Sequence, residues 1–269
     1  KPGEEGISIE LLRACGKPLY QYLATLYTKY LTKRRVAKMW KKSLTVLRFM
    51  QGDKEDLPNY RPIMTSPILY KVFTHCIRER IRGTLERAQP AEQAGFRRNF
   101  SNLDHIVTCR SLIEAFRAHR LSLMMTFVKY KNAFDSVEPA KVWEALEEQG
   151  VERIYVDVLR ESYSGRTAVF RPFNNDVEIT VEKGLRQDDP ISPHLFSACL
   201  EHVIRRCHWD NFGVNINGRR LNHLRYASNI VLITDSPEDA SEMLRRLEEE
   251  GSQCGLTIDN FETKVMRNS

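Results

Sequence analysis

The side chains best suited to chemistry in this 269-residue sequence are few and unevenly placed. Cys199, His202, Cys207 and His208 crowd one predicted helix, and thiols with imidazoles can hold zinc. Their spacing matches none of the usual zinc patterns, so the set reads as buried thiols with surface histidines. Asp188 and Asp189 share the turn "GLRQDDPISP", and Asp135 ends the stretch Ala133-Phe134-Asp135. Asp235 stands just before "SPED" and reads as a cap for the helix that follows, not as a ligand. There is no Gly-rich phosphate loop and no nucleophile elbow. The stretch "LRYASNIVLIT" (224–234) differs from all of these. Two apolar runs flank three small residues, Ala227-Ser228-Asn229, which is the pattern of a β-hairpin. It is either a plain hairpin or one whose tip once held something.

The elements that must position these residues follow from periodicity. Apolar residues near helical spacing over 7–31 predict a helix with a break at Gly16-Lys17-Pro18. "SLTVLRFM" (43–50) predicts a strand followed by the polar turn 51–56, and helices are predicted over about 66–88 and 102–119. "LSLMMTFV" (121–128) reads as a short strand buried on both faces. A helix beginning near Pro139 and ending at Gly150 follows, then another over about 152–163. "TAVFR" and "VEITVEKG" bracket Pro172-Phe173-Asn174-Asn175-Asp176, a hairpin signature. Pro193 opens a helix that carries Leu195, Phe196, Cys199, Leu200, Val203 and Ile204. After the 224–234 hairpin, Ser236-Pro237-Glu238-Asp239 starts a helix to about Gly251, and "GLTIDNFETKVM" supplies a last strand.

Charge is polarised along the chain. Residues 29–110 hold 18 Lys and Arg against 7 Asp and Glu, whereas 111–269 hold 20 against 25. A basic lobe of this kind suits phosphate, because each neutralised phosphate releases counterions, and it equally suits a solvated Lys/Arg surface. "KYLTKRRVAKMWKK" (29–42) mixes seven basic residues with Tyr30 and Trp40, and admits the same two readings. No apolar stretch approaches the ~20 residues of a membrane span, and six dispersed cysteines read as reduced thiols of an intracellular protein, nuclear or cytoplasmic.

Six phrases stand in a fixed order: "DLPNYRPI" (56–63), "EQAGFRRNFSNLDHI" (92–106), "FVKYKNAFDSV" (127–137), "GLRQDDPISPHLF" (184–196), "LRYASNIVLI" (224–233) and "GLTIDNFETKVM" (255–266). Together they resemble the reverse transcriptase (RNA-directed DNA polymerase) domain of non-LTR retrotransposons of the endonuclease–reverse transcriptase type. The resemblance implies an α+β right-hand polymerase fold, with fingers and a ferredoxin-like or RRM-like palm. It places N-terminal helices and basic fingers over 1–120 and the palm over 121–269, with a fingers insertion at about 138–183. The sequence ends just after the last palm phrase, so a thumb is expected to be absent. The implied ancestral reaction is nucleotidyl transfer from dNTP to a DNA primer on an RNA template, with two Mg²⁺.

At the positions where the family carries its metal-binding aspartates, this sequence has Lys129, Ser228 and Asn229. An ammonium repels Mg²⁺, and neutral oxygens bind it weakly, so no metal and no cofactor are expected here. Other departures follow. Asp188 replaces a glycine of the family, adding bulk and negative charge. Met50 and Gln51 stand where the family usually has two lysines, and Glu262-Thr263-Lys264 stands for its Lys-Thr-Lys. The resemblance keeps Arg61 as a triphosphate contact, Phe134 as the ring against a ribose 2′-hydroxyl, and Gln187 in the nucleotide pocket. Arg78, Arg80, Arg82, Arg97 and Arg98 are the expected contacts to RNA or an RNA/DNA hybrid. The expectation is a folded nucleotidyltransferase scaffold that has lost activity. A nucleic-acid-binding module and a protein-interaction scaffold are the alternatives.

Overall fold

A computed structural model describes residues 6–56, 59–170 and 176–268. The chain forms two compact units, Lys1–Gly83 with Gly150–Ser192, and Thr84–Gln149 with Pro193–Ser269. Residue 120, the expected end of the N-terminal region, lies within the second unit.

The first unit carries helix α1 (Ile9–Lys33), strands β1 (Lys42–Phe49) and β2 (Tyr60–Thr65), and most of helix α2 (Ile68–Ala88). Its second segment contributes α6 (Arg153–Tyr163), β4 (Arg166–Phe170) and β5 (Val177–Val181). Four strands form one sheet in the order β2-β1-β4-β5, with β1 and β4 parallel and the other neighbours antiparallel. The expected break in α1 is present, because Gly16 takes a left-handed φ of 59° that an L-residue resists. Trp40 anchors an aromatic core with Tyr27, Tyr30, Tyr70 and Phe73, the ring centroids lying 5.0–6.1 Å from Trp40. Pro172, Phe173, Asn174 and Asn175 of the expected β4–β5 turn lie outside the described residues.

The second unit contains α3 (Asn102–Ala118), β3 (Met124–Val128), a single turn α4 (Ala133–Ser136) and α5 (Pro139–Glu148). Beyond the first unit's second segment come α7 (Ser192–Arg206), β6 (Val214–Ile216), β7 (Arg219–Leu221), β8 (His223–Tyr226), β9 (Asn229–Thr234), α8 (Pro237–Gln253) and β10 (Lys264–Arg267). The main sheet runs β10-β3-β9-β8 and is antiparallel throughout. One face is closed by Leu112 of α3 packing with Leu123, Met125, Leu224 and Ile233. Helix α8 buries Ala240, Met243 and Leu247.

Four expectations need correction. Helix α8 is capped by Ser236, whose hydroxyl accepts from Asp239 N at 3.1 Å, not by Asp235. Cys199 and Cys207 are buried as expected and His208 is exposed, but His202 is only 2% exposed, because the inner face of α7 turns it inward. Strand β3 is not closed on both faces, since Phe127 lies beyond the cover of α3 and is 39% exposed. The last strand is confined to 264–267, because Asp259 starts a turn that occupies the residues before it. Hairpin β6–β7 is an addition. Its two-residue turn, Asn217-Gly218, has φ of 51° and 83°, the doubly left-handed pattern that Asn-Gly favours. Among the described residues, no helix is long and apolar enough to cross a membrane.

Candidate functional site

Strands β8 and β9 are joined by Ala227-Ser228 alone, with Tyr226 paired to Asn229. Only the first of these two residues has positive φ, 55° at Ala227, as a tight type II′ connection requires. The turn is braced from one side by residues 92–95, which run along β8. Arg225 N donates to Glu92 O at 2.7 Å, and Ala94 N donates to Arg225 O at 3.0 Å. Gly95 closes this contact; a Cβ there would meet Ala227 N at 2.3 Å.

The register brings three of the expected positions together. Val128 of β3 pairs with Ile230 of β9, so Lys129 and Asn229 come next at the same end of the ladder, with Ser228 in the adjoining turn. Lys129 and Asn229 are exposed and Ser228 is half-buried. On the other side of β3, Phe127 pairs with Lys264 of β10, which carries Glu262 past Lys129. The Lys129 ammonium and the Glu262 carboxylate form an ion pair, with side chains 51% and 53% exposed. Asp259 aims Glu262 there. Its own N–H donates to Lys129 O at 2.7 Å, and its carboxylate accepts from Phe261 N at 3.0 Å and Glu262 N at 3.3 Å.

Behind the turn lies a buried ion pair that no motif exposes. Arg225 is fully buried and donates through Nη2 to Glu201 Oε2 at 2.6 Å, while Arg205 Nε donates to Glu201 Oε1 at 2.8 Å. Phe134, on the single turn α4, stacks on Phe196 at 4.6 Å and 16° and is half-buried. Asp135 beside it is exposed.

Arg61 and Gln187, the other two positions expected to contact a nucleotide, belong to the first unit. Arg61 lies on β2 opposite Arg48, its side chain outside the described residues. Gln187 is exposed on a turn whose neighbours are firmly held. Buried Arg186 donates to Trp40 O at 2.8 Å and Ser162 O at 3.2 Å, and its guanidinium lies 4.3 Å from the Tyr70 ring centre. Asp189 accepts from Tyr70 Oη at 2.8 Å, and burial raises its carboxyl pKa against those stabilising bonds. Asp188 accepts from Ser66 N at 2.8 Å and Ser66 Oγ at 3.0 Å, and pairs with Lys71 at 2.6 Å. Its charge is therefore engaged inside the unit.

A family model described as reverse transcriptase (RNA-dependent DNA polymerase) matches residues 52–269. The chain belongs to the reverse transcriptase family. A Pol polyprotein of the type-1 retrotransposable element R2 from Popillia japonica is 24% identical over 240 residues, 87% of this chain and 32% of that protein. A putative 115 kDa protein of the type-1 element R1DM from Drosophila melanogaster is 26% identical over 207 residues, 76% of this chain and 20% of that one. These matches bear out the resemblance to a non-LTR retrotransposon domain. The chain spans about a third or less of the length of these curated relatives. Among solved structures, apo telomerase from Candida tropicalis superposes with a TM-score of 0.63 at 12% identity, covering 94% of this chain and 56% of that one. That likeness establishes a polymerase-like fold of mixed α and β content.

The basic side chains of this reverse transcriptase domain are divided between the units. Arg78 and Arg82 both grip Glu79 at 2.7 Å, and Arg80 donates to Tyr155 Oη at 3.4 Å. In the second unit Arg97 donates to the carbonyls of Pro90 and Gln93 and lies 4.1 Å from the Phe100 ring centre, with Arg98 next to it. Elsewhere in that unit, Glu144, Glu148 and His202 converge within 4.8 Å. Two cations already pair with the carboxylates, Lys141 Nζ lying 2.7 Å from Glu144 Oε2 and Arg206 Nη2 2.9 Å from Glu148 Oε1, and the Arg206 bond holds the Glu148 carboxyl down to about 2.

Proposed function

We propose that this reverse transcriptase domain folds as fingers and palm and binds RNA or an RNA/DNA hybrid, but does not polymerise DNA as written. The antiparallel sheet β10-β3-β9-β8, with α3 against one face, supports the palm reading for the second unit. The mixed sheet with its aromatic core supports fingers for the first.

The observation that carries the proposal is the ion pair of Lys129 and Glu262 at the strand end beside Asn229. Polymerase metals sit about 3.5–4 Å apart and require converging anionic oxygens. The donors offered here are an ammonium, a hydroxyl and an amide, and they do not fit a magnesium pair. Arg61, Phe134 and Gln187 remain as the inherited nucleotide-pocket positions, and Arg78, Arg80, Arg82, Arg97 and Arg98 as backbone contacts. RNA enters from the family description and from a telomerase relative solved with a telomeric RNA fragment.

Primer extension on an RNA template tests the proposal. The chain as written is compared with Lys129→Asp/Ser228→Asp/Asn229→Asp, with and without Glu262→Lys. Product from a reverted protein alone supports the proposal; equal product from the unaltered chain overturns it. RNA affinity is measured alongside, and it is expected to fall steeply with salt.

A further inference from the structure

At the opposite end of β8 from the Ala227-Ser228 turn, the second unit holds a cleft of about 630 Å³. That lies within the range of about 300–1,000 Å³ typical of small-molecule sites. Its inner wall is the end of α7. Glu201 there has both oxygens taken by Arg205 and the buried Arg225, so its charge is balanced twice over and invites no further cation.

The rim is rich in unspent donors. The Arg219 guanidinium makes no hydrogen bond or ion pair among the described residues, and that of Arg220 spends only one, Nη1 to Gly213 O at 2.8 Å. Each guanidinium offers five N–H groups in a planar fork that matches phosphate oxygens. Asp210 lines the same cleft, exposed and without a side-chain partner among the described residues. The floor is aromatic and uncharged. Trp209 and His223 meet edge to face at 5.3 Å. Asn222 donates through Nδ2 to Trp209 O at 2.8 Å, which leaves its carboxamide oxygen to accept from His223 Nδ1 at 2.6 Å. Burial keeps that imidazole neutral.

Guanidinium forks beside a free carboxylate do not suit a bare polyanion, which the carboxylate would repel. They suit a ligand that presents an oxyanion together with hydroxyl donors. Carboxylates recognise ribose by accepting its hydroxyl protons. We propose that this cleft binds a ribonucleoside phosphate, its phosphate held by Arg219 and Arg220 and its ribose by Asp210. The ligand is either a free ribonucleotide or the terminal nucleotide of an RNA. The inference uses none of the hairpin-tip residues and stands whether or not that tip binds a metal.

Calorimetric titration of the whole chain tests it, in EDTA, with inorganic phosphate, a ribonucleoside 5′-monophosphate, its 2′-deoxy counterpart and a 5′-phosphorylated tetraribonucleotide. The monophosphate is expected to bind saturably and more tightly than inorganic phosphate, with its deoxy counterpart several-fold weaker. Arg219→Ala/Arg220→Ala is expected to weaken binding about tenfold or more, as loss of charge-assisted bonds does. Asp210→Asn is expected to erase the preference for ribose. Tighter binding of the tetranucleotide assigns the site to an RNA end; equal or weaker binding assigns it to the free nucleotide. The Arg219 and Asp210 side chains make no internal bonds among the described residues, and Arg220→Ala gives up only the bond to Gly213 O, so a melting control on each variant separates folding from binding. No saturable binding by any probe overturns the proposal. So does affinity untouched by the arginine substitutions, or phosphate alone binding as tightly as the nucleotide.

Discussion

Reversing the charge at position 129 isolates what the Lys129–Glu262 pair does. Both side chains are about half exposed, 51% and 53%, so solvent screens much of their attraction. A pair of this kind contributes about 0.2–1 kcal/mol. Lys129→Asp sets two carboxylates against each other, turning that attraction into a repulsion of similar size, a swing of about 0.5–2 kcal/mol. For a chain of this length, about 1 kcal/mol moves the melting temperature by roughly 2–4 °C. Glu262→Lys alone sets two ammonium groups together and carries the same sign. The double variant Lys129→Asp/Glu262→Lys restores opposite charges in inverted order and is expected to melt within about 1 °C of the parent. Thermal melts of the four proteins in 0.05 M and 1 M NaCl read this directly. In 1 M salt the Debye length falls to about 3 Å, and the differences are expected to shrink. A double variant that melts as low as the two single losses added together refutes the coupling. So does a pattern of losses indifferent to salt.

Three further outcomes follow from the same geometry. Gly95→Ala drives a methyl against Ala227 N, and is expected to cost about 1–3 kcal/mol in urea unfolding, with faster amide exchange at Ala94 and Arg225. Asp188→Gly removes the acceptor for Ser66 and the partner of Lys71, and is expected to lower stability by about 1–3 kcal/mol; an unchanged denaturation midpoint contradicts that role. His223 is held well below its ordinary range by burial, so below pH 6.5 the unfolded chain takes a proton that the folded chain refuses. Its penalty is absent above pH 6.5 and grows by up to about 1.4 kcal/mol per pH unit below it, until the folded value is reached. The stability difference between His223→Gln and the parent is therefore expected to shift by about 1 kcal/mol between pH 7.5 and pH 5.5.

Much of the fold was legible because local rules suffice for it. Apolar periodicity, Pro139 at the start of α5 and Ser236 before Pro237 and two acidic residues place helices without any tertiary information. The break at Gly16 is equally local. Hairpin β6–β7 also carries its signal, Asn217-Gly218, in plain view. The identity of the three site positions came from the order of six phrases rather than from periodicity, which cannot say that residues a hundred apart share one strand end.

What only the tertiary structure decided was partnership. Glu262 reads in sequence only as a departure from the family's Lys-Thr-Lys; register across β3 and the Asp259 turn make it the counterion of Lys129. Asp188 reads in sequence as bulk and repulsion, yet Ser66 and Lys71 take up its charge. His202 falls in a run of metal-capable residues, and only the packing of α7 buries it beside Glu148. The sequence by itself determined which elements form and which side chains they carry, because backbone propensity and burial periodicity act over a few residues. Electrostatic pairing acts through space over a few ångströms and depends on strand register and helix packing, so it became visible only once the chain was folded.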